Sequence, residues 1–149
     1  MNKISKDLIK KAQSYGNIPA LQPKDAYELI ENESSVVLVD VRTKAEYDWV
    51  GKPVVNNIQQ YIHIEWLMYP GSAQNPEFLT SLSKFNKDRA LIFLCRSGIR
   101  SKMAVQAALD HGFGVAIDII GGFEGQRNSS GHRKTVDGWC YYGLPWVGA

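Results

Sequence analysis

The chain has 149 residues, the size of one ordinary domain, and its 44% hydrophobic and 21% charged content is typical of a globular protein. A net charge of +2 gives no argument for nucleic-acid binding, and no apolar run approaches the roughly 20 residues that cross a bilayer, so we expect no membrane partner either. Two cysteines cannot build a disulfide framework, and the charged N-terminus lacks the apolar stretch of a secretory signal. We therefore expect a cytoplasmic protein with reduced thiols.

The predicted elements alternate between helix and strand. Capping side chains, first-turn prolines and apolar residues at helical spacing mark the helices, and short continuous apolar runs mark the strands. In chain order the predictions are a helix from Ser5, a helix from Pro23, a strand at 36–39, a short helix capped by Thr43 and Glu46, a helix from Asn75, a strand at 91–94, a helix at 100–111 and a strand at 115–120. The last helix is predicted to bury Met103, Ala104, Ala107 and Ala108.

This alternation predicts an α/β fold with a mostly parallel central sheet and helices on both faces. The segment 52–74 leaves two interpretations open, a short strand at 57–62 or irregular packing. The segment 121–138, rich in Gly, Ser, Asn and charged residues, is predicted to be a long loop. The apolar tail at 143–146 is predicted to dock on the body of the domain.

Most of the functional information lies where the strand at 91–94 meets the next helix. Cys95 ends the strand, Gly98 lies in a short loop, and the helix begins near Arg100. Backbone N–H groups of such a loop and the positive end of the helix dipole form an anion site, so we expect the thiol to ionise readily. Arg96 and Arg100 add two cations suited to an oxyanion substrate. An inert buried cysteine is the alternative, and the Arg-Ser-Gly-x-Arg-Ser context favours the reactive thiolate.

The segment 95–101 resembles the active-site loop of the rhodanese domains. Three further segments are similar to that family in the same order along the chain. They are Leu38-Val39-Asp40-Val41-Arg42 with Glu46-Tyr47 behind it, Gly121-Gly122-Phe123, and Gly138-Trp139 followed by Gly143-Leu144-Pro145. The resemblance spans residues 18–146. It implies a single rhodanese-like domain at 18–149, preceded by an N-terminal helical extension at 1–17.

The resemblance implies a sulfurtransferase that works by double displacement through a persulfide on Cys95. Thiosulfate or a low-molecular-weight persulfide would be the donor, cyanide or a thiol the acceptor, and a protein thiol is a further candidate acceptor. No metal and no organic cofactor is implied. Catalysis is assigned to Cys95 and substrate binding to the loop residues Arg96, Ser97, Gly98, Ile99, Arg100 and Ser101.

Two further residues are predicted to lie near this loop, at the end of the strand at 36–39. Arg42 is a candidate substrate-binding or loop-bracing group, and a structural ion pair is an equal alternative. Asp40 is expected to orient Arg42, with a structural ion pair as the favoured interpretation. The chain departs from the family pattern at 51–57 and by an insertion at 124–137, for which a basic flap over the Cys95 loop and a solvated surface loop both remain open.

Other candidate sites are weaker. His63, His111 and His132 have no spacing that suggests a shared metal, so none is predicted. Cys140 is interpreted as a packing residue in preference to a resolving thiol. A cysteine-dependent phosphatase is disfavoured because four residues, rather than five, separate Cys95 from Arg100. A non-catalytic module that senses persulfide or binds a partner is the remaining alternative.

Overall fold

Short elements alternate throughout the computed structural model, which describes residues 1–149. The helices are α1 (Lys3–Gln13), α2 (Pro23–Asn32), α3 (Lys44–Val50), α4 (Phe78–Leu82) and α5 (Ile99–Asp110). The strands are β1 (Ala20–Leu21), β2 (Val37–Asp40), β3 (Lys52–Pro53), β4 (Tyr61–His63), β5 (Leu67–Met68), β6 (Ala73–Gln74), β7 (Leu91–Leu94), β8 (Ala116–Ile119) and β9 (Trp146–Val147). A turn of 3-10 helix, Ile58–Gln60, precedes β4.

Five of the strands form one parallel sheet in the order β1-β8-β7-β2-β4. The strand β7 lies at the centre, with Phe93 opposite Val39 of β2 on one side and opposite Asp118 of β8 on the other. Every residue of β2, β7 and β8 is buried, which explains why these strands are continuous rather than alternating apolar runs. The predicted α/β fold with a mostly parallel sheet is confirmed.

Helices cover both faces of this sheet, as predicted. On one face α1 and α2 pack in a cluster that includes Leu8 and Leu29, together with Ile92 of β7. On the other face α4 and α5 pack around Phe93, in the cluster that also contains Cys95. Because α1 shares its cluster with α2, the first helix belongs to the same core; the domain boundary between residues 17 and 18 stays a prediction.

Three details of the predicted helices are wrong. Asn2 caps α1 in place of Ser5, which lies buried in the first turn and donates its backbone N–H to Asn2 Oδ1 at 2.8 Å. Met103 is 46% exposed, because the buried face of α5 consists of Ser101, Ala104, Val105 and Ala108, and position 103 lies outside that face. The fourth helix begins only at Phe78 and is five residues long.

The uncertain segment 52–74 combines both interpretations. Residues 58–60 form the 3-10 turn, and β4 follows as a parallel edge strand beside β2. The small hairpin of β5 and β6, which includes a cis peptide bond before Pro70, had no counterpart among the predicted elements.

The predicted docking of the tail is confirmed, since β9 pairs with β3 and Trp139 Nε1 donates to the carbonyl of Pro145 at 2.8 Å. The segment 121–138 contains no helix or strand, as predicted, and no helix of the chain has the length and apolar character that crossing a membrane requires.

Candidate active site

Cys95 lies at the carboxyl end of the central strand, immediately after β7, and is 1% exposed. The chain then turns through Gly98, whose φ of +109° is a conformation that a side chain would disfavour, and enters α5 at the next residue. The backbone N–H of Gly98 donates to Cys95 Sγ at 3.0 Å. The turn thus gives the sulfur a hydrogen-bond donor at the N-terminus of a twelve-residue helix, which favours negative charge on the sulfur.

The segment after β8 holds this loop from behind. The backbone N–H of Phe123 donates to the carbonyl of Cys95 at 2.8 Å, and that of Glu124 donates to the carbonyl of Arg96 at 2.9 Å. Gly122 approaches so closely that a Cβ there would lie 2.5 Å from the Cys95 carbonyl oxygen. Only glycine therefore permits this contact, and the contact fixes the orientation of the loop backbone.

Ser101 joins the sulfur to a buried carboxyl group. Its Oγ lies 3.2 Å from Cys95 Sγ and donates a short hydrogen bond to Oδ1 of Asp118. Asp118 is fully buried, its Oδ2 has no hydrogen-bond partner, and the ammonium of Lys102 lies 3.5 Å from that oxygen. Burial raises the pKa of Asp118 to about 6, although the Ser101 hydrogen bond and the Lys102 charge oppose the shift. Asp118 was not among the predicted site residues.

The two arginines of the loop differ in their surroundings. Arg96 is exposed at the rim, whereas the guanidinium of Arg100 is bound by both carboxylate oxygens of Glu46, at 2.6 and 2.8 Å. Glu46 also completes the predicted capping box with Thr43 at the start of α3. Burial favours a higher pKa for Glu46, but the hydrogen bonds and charge of Arg100 outweigh it and lower the pKa to about 2. This pair attaches α3 to the start of α5.

Asp40 and Arg42 form an ion pair in which both side chains are completely buried. Arg42 Nε and Nη2 donate to the Asp40 carboxylate at 2.9 and 2.6 Å, and the Tyr61 hydroxyl donates to the same carboxylate at 2.6 Å. The guanidinium lies 4.5 Å from the centre of the Phe123 ring. Although burial favours a lower value, Asp40 raises the pKa of Arg42, so the cation persists. Arg42 does not line the cavity described next, and its contact with Phe123 places it behind the Cys95 loop.

A cavity of about 480 Å³ opens over the cysteine. Its walls come from the start of α3, the Cys95 loop and the hairpin of β5 and β6. The lining residues are Thr43, Ala45, Glu46, Leu67, Tyr69, Ser72, Cys95, Arg96, Ser97, Ile99 and Arg100. The hairpin residues were not predicted, and no motif within 67–72 would have identified them, because their position depends on the fold. The loop residues at 95–97, 99 and 100 do lie together as expected.

The insertion at 124–137 contacts the Cys95 loop without lining this cavity. The side-chain amide of Gln126 donates to the carbonyl of Ser97 at 3.1 Å. Arg133 donates to the carbonyl of Gly125 at 2.7 Å. Burial, together with the nearby charges of Arg96 and Arg127, lowers the pKa of Arg133. The insertion therefore adds positive charge beside the cavity mouth and supports the loop from one side.

The remaining candidate residues lie elsewhere. Cys140 packs against the cluster on the opposite face of the sheet from Cys95, and burial raises the pKa of its thiol to about 11. His63 stacks on Tyr47 and its Nε2 lies 2.7 Å from the carbonyl of Arg42. No group of three or more potential metal ligands occurs.

Comparison with known proteins places this arrangement in a family. The family described as "Rhodanese-like domain" matches residues 22–129, more than half of the chain. Uncharacterized protein RC0915 of Rickettsia conorii is 34% identical over 122 residues, covering 81% of this chain and 90% of that protein. A sulfurtransferase of Allochromatium vinosum is 28% identical over 120 residues, covering 79% and 84%.

A solved structure shows the same fold. The crystal structure of Rv0390 from M. tuberculosis is 36% identical, covers 86% of this chain and 96% of that chain, and superposes with a TM-score of 0.78. The family match at 22–129 includes β2, β4, β7 and β8 of the parallel sheet and the loop that follows β7. The chain therefore belongs to the rhodanese-like domain family.

Proposed function

We propose that this protein is a sulfurtransferase that carries a sulfane sulfur on Cys95. The observation that carries the proposal is the position of the Cys95 sulfur. It lies at the base of an open cavity, with the Gly98 N–H at 3.0 Å and the Ser101 hydroxyl at 3.2 Å. The family membership and the sulfurtransferase of Allochromatium vinosum support the same class of reaction.

In the first half-reaction the Cys95 thiolate attacks the outer sulfur of a donor such as thiosulfate. The bond between Cys95 Sγ and that sulfur forms, the bond to the sulfite group breaks, and sulfite leaves with the electron pair. In the second half-reaction cyanide or a thiolate attacks the outer sulfur and Cys95 leaves as a thiolate. Donors at the loop stabilise the anionic sulfur in both steps, so neither a metal nor an organic cofactor is needed.

The loop residues 96–101 are assigned to binding. Arg96, exposed at the rim, attracts an anionic donor. Ser97 and Ile99 line the cavity that receives it, and the backbone N–H of Gly98 contacts the Cys95 sulfur. A low-molecular-weight persulfide is a second donor of the same chemistry, and a protein thiol is a further acceptor. We expect the reaction to take place in a reducing compartment such as the cytoplasm, where acceptor thiols stay reduced.

Phosphate-ester hydrolysis is the weaker candidate. Four residues separate Cys95 from Arg100, and the Arg100 guanidinium is already bound by both oxygens of Glu46. A phosphate bound beside Cys95 would compete with Glu46 for the donors of the Arg100 guanidinium. A non-catalytic module that senses persulfide could have the same geometry. It differs from a sulfurtransferase in that it does not pass the sulfur on to an acceptor repeatedly.

The test is intact-protein mass spectrometry after incubation with thiosulfate, before and after cyanide. We expect a gain of one sulfur, about 32 Da, that cyanide removes with formation of thiocyanate. Cys95→Ser is expected to abolish the gain, because its hydroxyl does not ionise near neutral pH. Cys140→Ser is the matched control and is expected to keep it. A gain retained in Cys95→Ser contradicts the assignment, and a gain that no acceptor removes supports the sensing module.

A further inference from the structure

The proposed function leaves one buried group without a role. Asp118 is the only charged residue of β8, and it points to the same face of the sheet as Cys95. A carboxylate buried without a full set of donors is costly, and Oδ2 of Asp118 has none. Ser101 donates the hydrogen bond that the other oxygen, Oδ1, accepts. The same Ser101 hydroxyl contacts the sulfur of Cys95.

We propose that Ser101 and Asp118 form a proton relay that takes up the thiol proton of Cys95 inside the protein. The relay rests on the proposed function, since it supplies the thiolate that sulfur transfer needs. Ser101 contacts the sulfur directly, and Asp118 acts through Ser101 as a positioning residue that also stores the proton.

When Cys95 and Asp118 hold one proton between them, the single hydroxyl proton of Ser101 permits only two arrangements of the hydrogen bonds. In the first, the Cys95 thiol donates to Ser101 Oγ, and the hydroxyl donates to the Asp118 carboxylate. In the second, a protonated Asp118 donates to Ser101 Oγ, and the hydroxyl donates to the Cys95 thiolate. The change from the first to the second moves one proton along each hydrogen bond. Sulfur loses one proton and Asp118 gains one, so no exchange with solvent is required.

The surroundings of Asp118 favour the second arrangement. Its neighbours in the sheet, Ala20 of β1 and Phe93 of β7, carry no charge, and Lys102 of α5 is the only cation near it, at 3.5 Å. A carboxylic acid leaves Oδ2 as a neutral carbonyl oxygen, which costs less to bury than a charged one. Burial raises the pKa of Asp118 to about 6, which brings the carboxyl group closer to an ordinary thiol in proton affinity and so lowers the cost of moving the proton from sulfur to Asp118.

The surroundings of the sulfur favour the same direction. Gly98 donates its N–H to the sulfur, and the positive charge of Arg100 acts on Cys95 while Arg100 remains paired with Glu46. When Asp118 holds the proton, the Ser101 hydroxyl becomes a second donor to the thiolate. The same donor stabilises Cys95 when it leaves in the second half-reaction, so the relay serves both steps.

The test is the rate of Cys95 alkylation by iodoacetamide from pH 4 to 10, followed by peptide-resolved mass spectrometry on the full chain. Because the relay gives a thiolate as soon as the pair of Cys95 and Asp118 has lost its first proton, the wild-type rate is expected to rise near pH 6. Asp118→Asn retains a donor to Ser101 but accepts no proton, so the rise is expected only at higher pH. Ser101→Ala is expected to show the rise at higher pH, with a rate about tenfold lower at pH 7.

Ser5→Ala is the matched control, because it removes another fully buried hydroxyl from a helix on the other face of the sheet, and it is expected to keep the rise near pH 6. The absence of a rise near pH 6 in the wild type, or its retention in Asp118→Asn, overturns the relay. This measurement uses no sulfur donor. A rise near pH 6 that Asp118→Asn abolishes, with no sulfur uptake from thiosulfate, therefore retains the relay and rejects the proposed function, and the reverse result does the opposite.

A second measurement applies if Asp118→Asn does not fold. The ¹³C signal of the Asp118 carboxyl group is titrated in the wild type and in Cys95→Ala. Because a thiolate would hold the shared proton on Asp118, the titration midpoint is expected to be higher in the wild type. Equal midpoints in the two proteins overturn the relay.

Discussion

Two buried aspartates occupy similar places in the sheet and differ in how their charge is satisfied. Asp40 ends β2 and accepts hydrogen bonds from Arg42 and from the Tyr61 hydroxyl. Asp118, one position before the end of β8, has a single hydrogen-bond donor, Ser101, and one oxygen without any. A complete set of partners holds a charge in place, whereas an incomplete set lets the proton change position. The surroundings of Asp40 suit a structural ion pair, and the surroundings of Asp118 suit a group that takes up and releases a proton.

The largest expected effect follows from breaking the buried ion pair of Asp40 and Arg42. Asp40→Ala leaves Arg42 buried without its anion, so we expect the free energy of unfolding to fall by about 3–5 kcal/mol. Urea unfolding at pH 7 measures the change. The control is Asp48→Ala, which removes an exposed pair with Lys44 and should cost less than about 1 kcal/mol. Equal losses in the two variants contradict the scaffold role of Asp40.

The second prediction concerns Asp118, whose carboxyl group lacks a full set of hydrogen-bond donors. The pKa of Asp118 in the fold, about 6, lies above its ordinary value of 3.8, so the fold retains a proton up to about pH 6 that the unfolded chain loses near pH 4, and losing that proton from the pair of Asp118 and Cys95 destabilises the fold. That cost disappears as the pH falls from 6 towards 4. Relative to the wild type, Asp118→Asn is therefore expected to become more stable by about 2–3 kcal/mol between pH 4 and pH 7. Urea unfolding at several pH values measures this difference, and a constant difference contradicts the prediction.

The third prediction concerns Arg100, whose positive charge acts on Cys95. Arg100→Ala removes positive charge beside Cys95, so we expect persulfide formation to slow about tenfold to a hundredfold with every donor. Arg96→Ala removes an exposed cation at the rim. It is expected to raise KM for thiosulfate more than it lowers kcat, and to have less effect with an uncharged donor.

Steady-state kinetics with both kinds of donor separate these two roles. Glu46→Gln is the control for Arg100→Ala, since it weakens the attachment of α3 but keeps the charge of Arg100. Equal losses for Arg96→Ala and Arg100→Ala with both donors contradict the division of roles.

The smallest effect is expected at Glu46, whose ion pair is partly exposed. Because the pKa of Glu46 is lowered from 4.5 to about 2, the pair stabilises the fold above pH 4.5, and this stability is lost as the pH falls towards 2. Glu46→Gln is expected to flatten this acid limb by about 1 kcal/mol, a value reduced for solvent screening. The pH dependence of urea unfolding measures it. A limb as steep as that of the wild type excludes Glu46 as its source.

The predictions from sequence were most accurate where a few neighbouring residues determine the structure. The capping box of Thr43 and Glu46 predicted the start of α3, and Pro23 predicted the first turn of α2. The position of Cys95 after a buried strand was also correct. Errors arose where a competing contact was available nearby. Asn2 caps α1 in place of Ser5, because the helix begins three residues earlier than predicted and the Asn2 side chain accepts a hydrogen bond from the backbone N–H of Ser5.

The parts of the candidate site that sequence did not predict all depend on contacts between distant segments. The hairpin wall of the cavity at residues 67–72 and the guanidinium partner of Glu46 are of this kind. Asp118 appeared in the sequence only as an interruption in an apolar run. Its proximity to Ser101 results from the pairing of β8 with β7 and the packing of α5 on that face.

The sequence by itself determined the α/β class, the turn from Cys95 to Ser101 between a buried strand and a helix, and the membership of the rhodanese-like family. These features follow from short-range patterns, namely apolar runs, caps and a glycine turn, whose physical meaning does not change with the rest of the chain. The tertiary structure alone decided the raised pKa of Asp118 and the pairing of Arg100 with Glu46, which is 54 positions away. Charge and burial are set by what surrounds a group in space, and that environment exists only after the sheet and its helices have packed.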